Sequence, residues 1–239
     1  MSTVDPRCER TLLVDLDGTL TDNFDGISRS ICHALAALGA PIPDVDGLLP
    51  CVGPPLRVSF ARLLATADPN RIEQAIALYR ERYSVVGWSE NVVYEGIAPL
   101  LGALVDRGHR LFLCTSKPQP FAERIVARFG IAPHLAGVYG ADLAGTLDDK
   151  ARLVAHLLAR EDLVAADCVM IGDREHDVRA ANRNGVDAIG VLWGYGSRAE
   201  VEAAGAAAIV EAPPQVVGAL ERLAAPRANT GVRSTKPVQ

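Results

Sequence analysis

The chain has 239 residues, 49% of them hydrophobic and 22% charged, with a formal net charge of −5. That length can bury a sizeable core in one or two domains, and an acidic balance without any Lys/Arg run excludes a broad nucleic-acid footprint. No apolar stretch reaches the length of a membrane span, the opening residues do not read as a secretory signal, and the scattered cysteines (Cys8, Cys32, Cys51, Cys114, Cys168) form no C-x-x-C pair, so a reduced, cytoplasmic setting is expected.

The first predicted element is the apolar run Leu12, Leu13, Val14, a strand that gives way to Asp15-Leu16-Asp17-Gly18-Thr19-Leu20-Thr21. For both carboxylates to face one site, the strand must end and the chain turn there, which Gly18 permits. Two carboxylates aimed together at a sheet's carboxyl edge repel each other unless a cation or a shared proton compensates. The arrangement suits a divalent metal with one nucleophilic and one acid/base carboxylate. The plain alternative is a solvated Asp-Gly turn after a buried strand. Residues 22–89 then carry three helical patterns in succession, at 24–38, 56–65 and 70–83, with no strand between them. The first repeats Phe24, Ile27, Ile31, Leu35 and Leu38 on one stripe and stops at Gly39. An all-helical insertion at this point is expected to sit over the first strand as a lid.

From residue 90 the chain alternates strand and helix. Strands are expected at 110–115, 137–141, 167–171, 188–193 and, weakly, 208–210. Helices are expected through Phe121, Ile125 and Val126 up to Gly130, at about 149–160 and at about 177–184. Near-continuous apolar strands separated by amphipathic helices predict an α/β fold: a doubly wound, Rossmann-like parallel sheet covered on both faces, with the all-α cap inserted. The expected division is a core of residues 1–21 and 90–224, a cap of residues 22–89, and a frayed tail at 225–239. Ligands of such folds bind beyond the strands' carboxyl ends.

Every polar cluster falls at such an end. After Asp15 and Asp17 comes Thr115-Ser116-Lys117, hydroxyl- and amide-rich, suited to phosphate oxygens. Next is Lys150, whose place in the first turn of a helix opposes the helix dipole and calls for an anionic partner. Last is Gly172-Asp173-Arg174-Glu175-His176-Asp177, with two more carboxylates after a buried strand. An N-cap role explains either aspartate alone but not the gathering of all four acids with one lysine.

The ordered set D-L-D-G-T-L-T, T-S-K-P, a lone lysine and G-D-R-E-H-D resembles the four motifs of the haloacid dehalogenase superfamily over roughly residues 11–211. The segments G-P-P-L-R (from Gly53), V-Y-E-G-I (from Val93) and G-V-L-W-G-Y-G (from Gly190) extend the likeness to its phosphoglycolate phosphatase-like and 5′-nucleotidase-like members with a small helical cap. The resemblance implies that Asp15 attacks phosphorus and carries a transient phosphoaspartate, and that Asp17 protonates the leaving oxygen and then activates water. It implies Mg²⁺ held by Asp15, the Asp17 carbonyl and Asp173, with Asp177 in support. It also implies a phosphoryl group bound by Thr115, Lys150 and the Gly18 and Ser116 amides. Thr19 is a further candidate substrate-binding position, and so are Arg57, a fork for the organic half of the substrate or a solvated arginine, and Lys117, facing the cleft mouth or the solvent.

The second aspartate argues against dehalogenation, because a halide leaving group needs no protonation. The absence of lysine from residues 22–89 argues against phosphonate cleavage through a cap imine. The expected activity is a phosphomonoesterase on a small phosphorylated metabolite, with phosphoglycolate first, because Arg57 and Lys117 could meet a carboxylate. A nucleoside monophosphate is the alternative, followed by a sugar-phosphate mutase reaction. The non-enzymic alternative, a receiver-like phosphorylation module, fits poorly with an acid pair on the first strand and a helical insertion. No nucleic-acid polymer and no membrane is an expected partner, and the chain is expected as a monomer or homodimer. Of the remaining polar and aromatic residues, Tyr79, Tyr83, Trp193 and Tyr195 are read as packing and His176 as a surface group.

Overall fold

The computed structural model describes residues 9–142, 147 and 149–224. The chain opens with β1 (Thr11–Val14) and the short β2 (Thr21–Asp22). Four helices follow: α1 (Phe24–Ala37), α2 (Val45–Leu48), α3 (Leu56–Leu63) and α4 (Pro69–Val85). β3 (Val92–Val93) pairs antiparallel with β2, so the two connections of the insertion are zipped into one small ribbon. The remainder alternates: α5 (Ile97–Asp106), β4 (Arg110–Pro118), α6 (Gln119–Arg128), β5 (Gly137–Ala141), α7 (Lys150–Arg160), β6 (Cys168–Gly172), α8 (Glu175–Arg183), β7 (Asp187–Val191), α9 (Arg198–Ala203), β8 (Ala208–Val210) and α10 (Gln215–Ala224).

The large sheet has the order β5-β4-β1-β6-β7-β8, and every pairing is parallel. β1 is central, with Leu12 and Leu13 fully buried, which is why it reads as an unbroken apolar run rather than an alternating one. Leu12 and Val14 pack with Leu101, Ile125 and Leu220 on one face, under α5, α6 and α10. Leu13 packs with Leu153, Val178 and Val201 on the other, under α7, α8 and α9. Residues of the insertion form a third cluster of their own around Ile31, Leu35, Phe60 and Tyr79.

Local rules set the helix ends. Asp68 caps α4 by accepting from the Asn70 amide at 3.0 Å, and Asp149 caps α7 through the amides of Ala151 and Arg152. α4 runs from Pro69 to Val85, longer at both ends than its apolar pattern; that cap and a proline at the first helical position set its start. β4 also outruns its expected end at residue 115: after Thr115 its register with β5 shifts, and pairing resumes at Pro118 with Ala141. The helix after it therefore starts at Gln119 rather than at Pro118. The tail at 225–239, expected to be frayed, lies outside the described residues. Among the described residues no helix is long and apolar enough to cross a membrane.

Candidate active site

β1 ends at Val14, and the chain then folds into a tight turn in which the amides of Thr19, Leu20 and Thr21 all point to the Leu16 carbonyl. Leu16 is buried in the core, while Asp15 and Asp17 both look into the cleft between the sheet's carboxyl edge and the helical insertion. The turn depends on Gly18, whose φ is +85° and whose missing Cβ would overlap the Asp173 carboxylate. The sheet side of the cleft is lined by Asp15, Asp17, Thr115, Ser116, Lys117 and Lys150. Its other side carries Ile27, Ile76, Tyr79 and Tyr83, with Arg57 and Arg80.

Asp15, Asp173 and Asp177 each bring a carboxylate oxygen within 4.8 Å of the others, and all are buried. Among the described residues one cation is in direct contact with two of them: Lys150 Nζ is 2.5 Å from Asp15 Oδ1 and 2.5 Å from Asp177 Oδ1. The helix-dipole argument for an anionic partner to Lys150 is met by these two acids. Three carboxylates and one ammonium leave an excess of negative charge in a buried site. Burial, with Asp177 and Asp17 adding repulsion, pushes the Asp15 carboxyl up to about 7 even against Lys150. Burial and the neighbouring acids also raise Asp173 well above the usual carboxylate range. Burial alone would lower the Lys150 ammonium, but Asp15 and Asp177 outweigh it and raise it.

The acids are held partly from within the motifs that announce them and partly from the loop around Tyr195. Asp173 accepts from the Tyr195 amide at 2.8 Å and from the Thr19 hydroxyl at 3.4 Å. Missing side chains at Gly194 and Gly196 let that loop lie directly on Asp173, and Trp193 Nε1 donates to the Thr19 carbonyl at 2.9 Å. Asp177 also accepts from the Arg174 amide at 3.1 Å, which fixes it at the start of α8.

Several expected positions are used differently. The Gly18 amide, expected at the phosphoryl group, donates instead to the Thr21 carbonyl at 2.8 Å, because the turn needs that bond to close. Thr19 turns its hydroxyl to Asp173, as just described, and not to the cleft. Thr115 is 2% exposed, and its hydroxyl accepts from the Lys117 amide at 3.2 Å, bridging the irregularity in β4. Lys117 is buried, and its ammonium is 2.8 Å from Asp17 Oδ2 and donates to the Tyr83 hydroxyl at 2.8 Å. The Asn23 side-chain amide lies 2.7 Å from the Tyr83 hydroxyl; turned so that its oxygen faces these groups, it accepts from that hydroxyl and from Lys117 Nζ at 2.9 Å. Arg57 lines the cleft but pairs with Glu73 at 2.6 Å. Tyr195 is more than packing, since its hydroxyl donates to Asp22 at 2.8 Å and accepts from the Asn23 amide at 2.9 Å. Asn23, Tyr83 and Tyr195 are the site residues that sequence reasoning missed. The glycines on either side of Tyr195 are the one signal that could have found any of them.

Comparison with known proteins now has a geometry to meet. The family model described as haloacid dehalogenase-like hydrolase matches residues 12–191, which contain all of these acids and both lysines. The chain belongs to that family. This hydrolase is 48% identical over 192 residues to a protein of Pseudomonas aeruginosa named 5′-nucleotidase, covering 80% of this chain and 86% of that one. It is 43% identical over 185 residues to a Mycobacterium tuberculosis protein named tyrosine-protein kinase PtkA, covering 77% of this chain and 62% of that one. Among solved structures, a predicted phosphatase from Clostridium acetobutylicum superposes with a TM-score of 0.86 at 35% identity, covering 90% of this chain and 99% of that one. The expectations of an α/β haloacid dehalogenase-type fold and of a hydrolase of the phosphatase class are met.

Proposed function

We propose that this hydrolase is a Mg²⁺-dependent phosphomonoesterase that works through a phosphoaspartate on Asp15 and takes nucleoside monophosphates in preference to smaller phosphoesters. The observation that carries the reading is the buried triad of Asp15, Asp173 and Asp177 sharing Lys150. Its donors are all oxygen, its negative charge is in excess and Asp15 is pushed up to about 7, which together fit a hard divalent cation. Mg²⁺ would be held by Asp15, the Asp17 carbonyl and Asp173, with Asp177 in support. When bound it supplies positive charge that draws the substrate's phosphoryl oxygens in and offsets their repulsion from Asp15.

The chain's own residues do the rest. Asp15 attacks phosphorus in line from the end of β1, forming its Oδ–P bond as the ester P–O bond breaks. Thr115, Ser116 and Lys150 face the equatorial oxygens from the ends of β4 and α7, where charge develops during transfer. Asp17 gives its proton to the departing oxygen, then takes one from the water that attacks the acyl phosphate. The helical insertion, residues 22–89 in this reading, covers the cleft as a cap and excludes bulk water.

The substrate preference rests on the cap side of the cleft. Lys117 and Arg57, the two cations that the sequence offers to a carboxylate such as that of phosphoglycolate, are already paired with Asp17 and Glu73. On this reading the leaving group meets the apolar set Ile27, Ile76 and Tyr79 with Arg57 and Arg80 beside it, a broad mixed surface better suited to a nucleoside than to glycolate. The name of the Pseudomonas aeruginosa relative supports the same class. The test is a steady-state panel of UMP, AMP, phosphoglycolate, phosphotyrosine and β-glucose 1-phosphate with Mg²⁺. A nucleotide should exceed p-nitrophenyl phosphate in kcat/KM by at least about tenfold, roughly 1.4 kcal/mol of transition-state preference. A panel led by phosphoglycolate, or flat across all esters, contradicts the substrate class.

A further inference from the structure

The Lys117 ammonium is an unusual group in this site. It is nearly inaccessible, with 4% of its side chain exposed, yet it does not point to the metal-binding acids or to Thr115. Its N–H donors are engaged by Asp17 at 2.8 Å and by the Tyr83 hydroxyl at 2.8 Å, and, with the Asn23 amide turned so that its oxygen faces the ammonium, by Asn23 at 2.9 Å. Those partners come from three separate parts of the molecule. Asp17 belongs to the turn after β1, Tyr83 to α4 of the insertion, and Asn23 to the connection that leads into α1. Tyr83 is itself fixed, stacked on Tyr79 at 5.2 Å between ring centroids and met edge-on by Phe121 of the core at 5.1 Å.

From this arrangement we infer that Tyr83 and Lys117 are positioning residues for Asp17, through which a docked cap holds the acid in place to protonate the leaving oxygen. The inference rests on the function proposed above and deepens it. A carboxyl that must deliver a proton along one direction loses rate when its side chain wanders, and the Lys117 ammonium fixes Asp17 Oδ2. Lys117 is in turn held by a hydroxyl and an amide that belong to the insertion and its hinge. If the insertion swings away, Tyr83 leaves with it and Lys117 loses that partner. The acid is then held toward the leaving oxygen while the cleft is covered, and an uncovered site that meets water lacks a well-placed acid. The device needs no group beyond those named.

Leaving-group dependence separates this role from a structural one. An alkyl phosphate such as UMP expels a basic alkoxide that must be protonated, whereas p-nitrophenyl phosphate expels a stable phenolate that need not be. Tyr83→Phe keeps the stacked ring and removes only the hydroxyl. It should lower kcat/KM for UMP by roughly tenfold or more, inside the range general acids contribute, and change kcat/KM for p-nitrophenyl phosphate by less than about threefold. Lys117→Met should show the larger loss on UMP. The double variant should lose no more than Lys117→Met alone, because Tyr83 acts through the lysine.

Asp17→Asn is the reference: it must lose far more on UMP than on the aryl ester. If it does and Tyr83→Phe slows both esters equally, or neither, the positioning role is overturned while the general acid stands. If Asp17→Asn itself shows no leaving-group bias, the acid assignment and this inference fall together. Additive losses in the double variant would also overturn the relay.

Discussion

Lys150 Nζ lies 2.5 Å from Asp15 Oδ1, and this pairing joins the first turn of α7 to the end of β1 across 135 residues of sequence. The same ammonium is the direct cation for Asp177, so its removal would strand three buried carboxylates together. Breaking a buried pair by deleting one partner costs about 3–5 kcal/mol. Lys150→Met should therefore melt well below the wild type in chelator, and saturating Mg²⁺ should restore part of the difference. Its kcat should fall by roughly 10²–10³, the loss seen when one donor to a developing oxyanion is deleted. Thermal melts with and without Mg²⁺, paired with steady-state rates, check both halves.

Gly18→Ala tests the packing of the turn against Asp173. The added methyl meets the Asp173 carboxylate in a left-handed backbone position that costs about 1–2 kcal/mol for residues with a side chain. Mg²⁺ affinity by titration calorimetry should weaken by an order of magnitude or more, as when groups that orient metal ligands are lost. Unchanged affinity would mean that the turn is not what sets Asp173.

Glu90 sits where the chain returns from the insertion and holds both flanking helices. It pairs with Arg82 of α4 at 2.7 and 2.9 Å and with Arg29 of α1 at 2.9 Å. Hydrogen bonds from Arg82 hold its carboxyl below the usual range. Glu90→Gln should cost about 1–2 kcal/mol, less than a fully buried pair because these groups still meet solvent. Urea denaturation at neutral pH measures it.

His109 contributes to the pH dependence of folding, with a sign opposite to that of the raised Asp15 and Asp173 carboxyls. It is buried at the start of β4 and accepts from the Arg10 amide at 3.1 Å through Nδ1, which must therefore be unprotonated. Burial holds its pKa below the ordinary value of 6.5. Below pH 6.5 the unfolded chain takes up a proton that the folded chain refuses, so its contribution to stability falls with acidification until the folded value is passed. His109→Asn keeps an acceptor for Arg10 without titrating. On acidification from about pH 6.5 to 5 the variant should lose less stability, or gain more, than the wild type, read from denaturation curves at each pH.

Much of this was legible because the sequence repeats one physical signal. Leu12–Val14, Leu111–Leu113 and Val169–Ile171 are apolar on both faces, and only a doubly covered parallel strand needs that. Asp15, Asp17, Thr115, Lys150, Asp173 and Asp177 follow from their places just beyond such strands or at a helix start. The short elements were not legible: α2 has four residues and β2 and β3 two each, too few to show a period. Nor was the environment of Lys117, because burial by Tyr83 and Asn23 is a tertiary fact that no local pattern carries. The Gly18 amide was misplaced for a related reason, since the turn's internal bond to Thr21 is invisible in composition.

The central claim is that Asp15 carries the phosphoryl group. Rapid acid quench of the enzyme turning over UMP with Mg²⁺, followed by peptide mass spectrometry, should find an acyl phosphate on Asp15 that disappears in Asp15→Asn along with all turnover. Full hydrolysis by purified Asp15→Asn, or a phosphoryl group located on another residue, would contradict it.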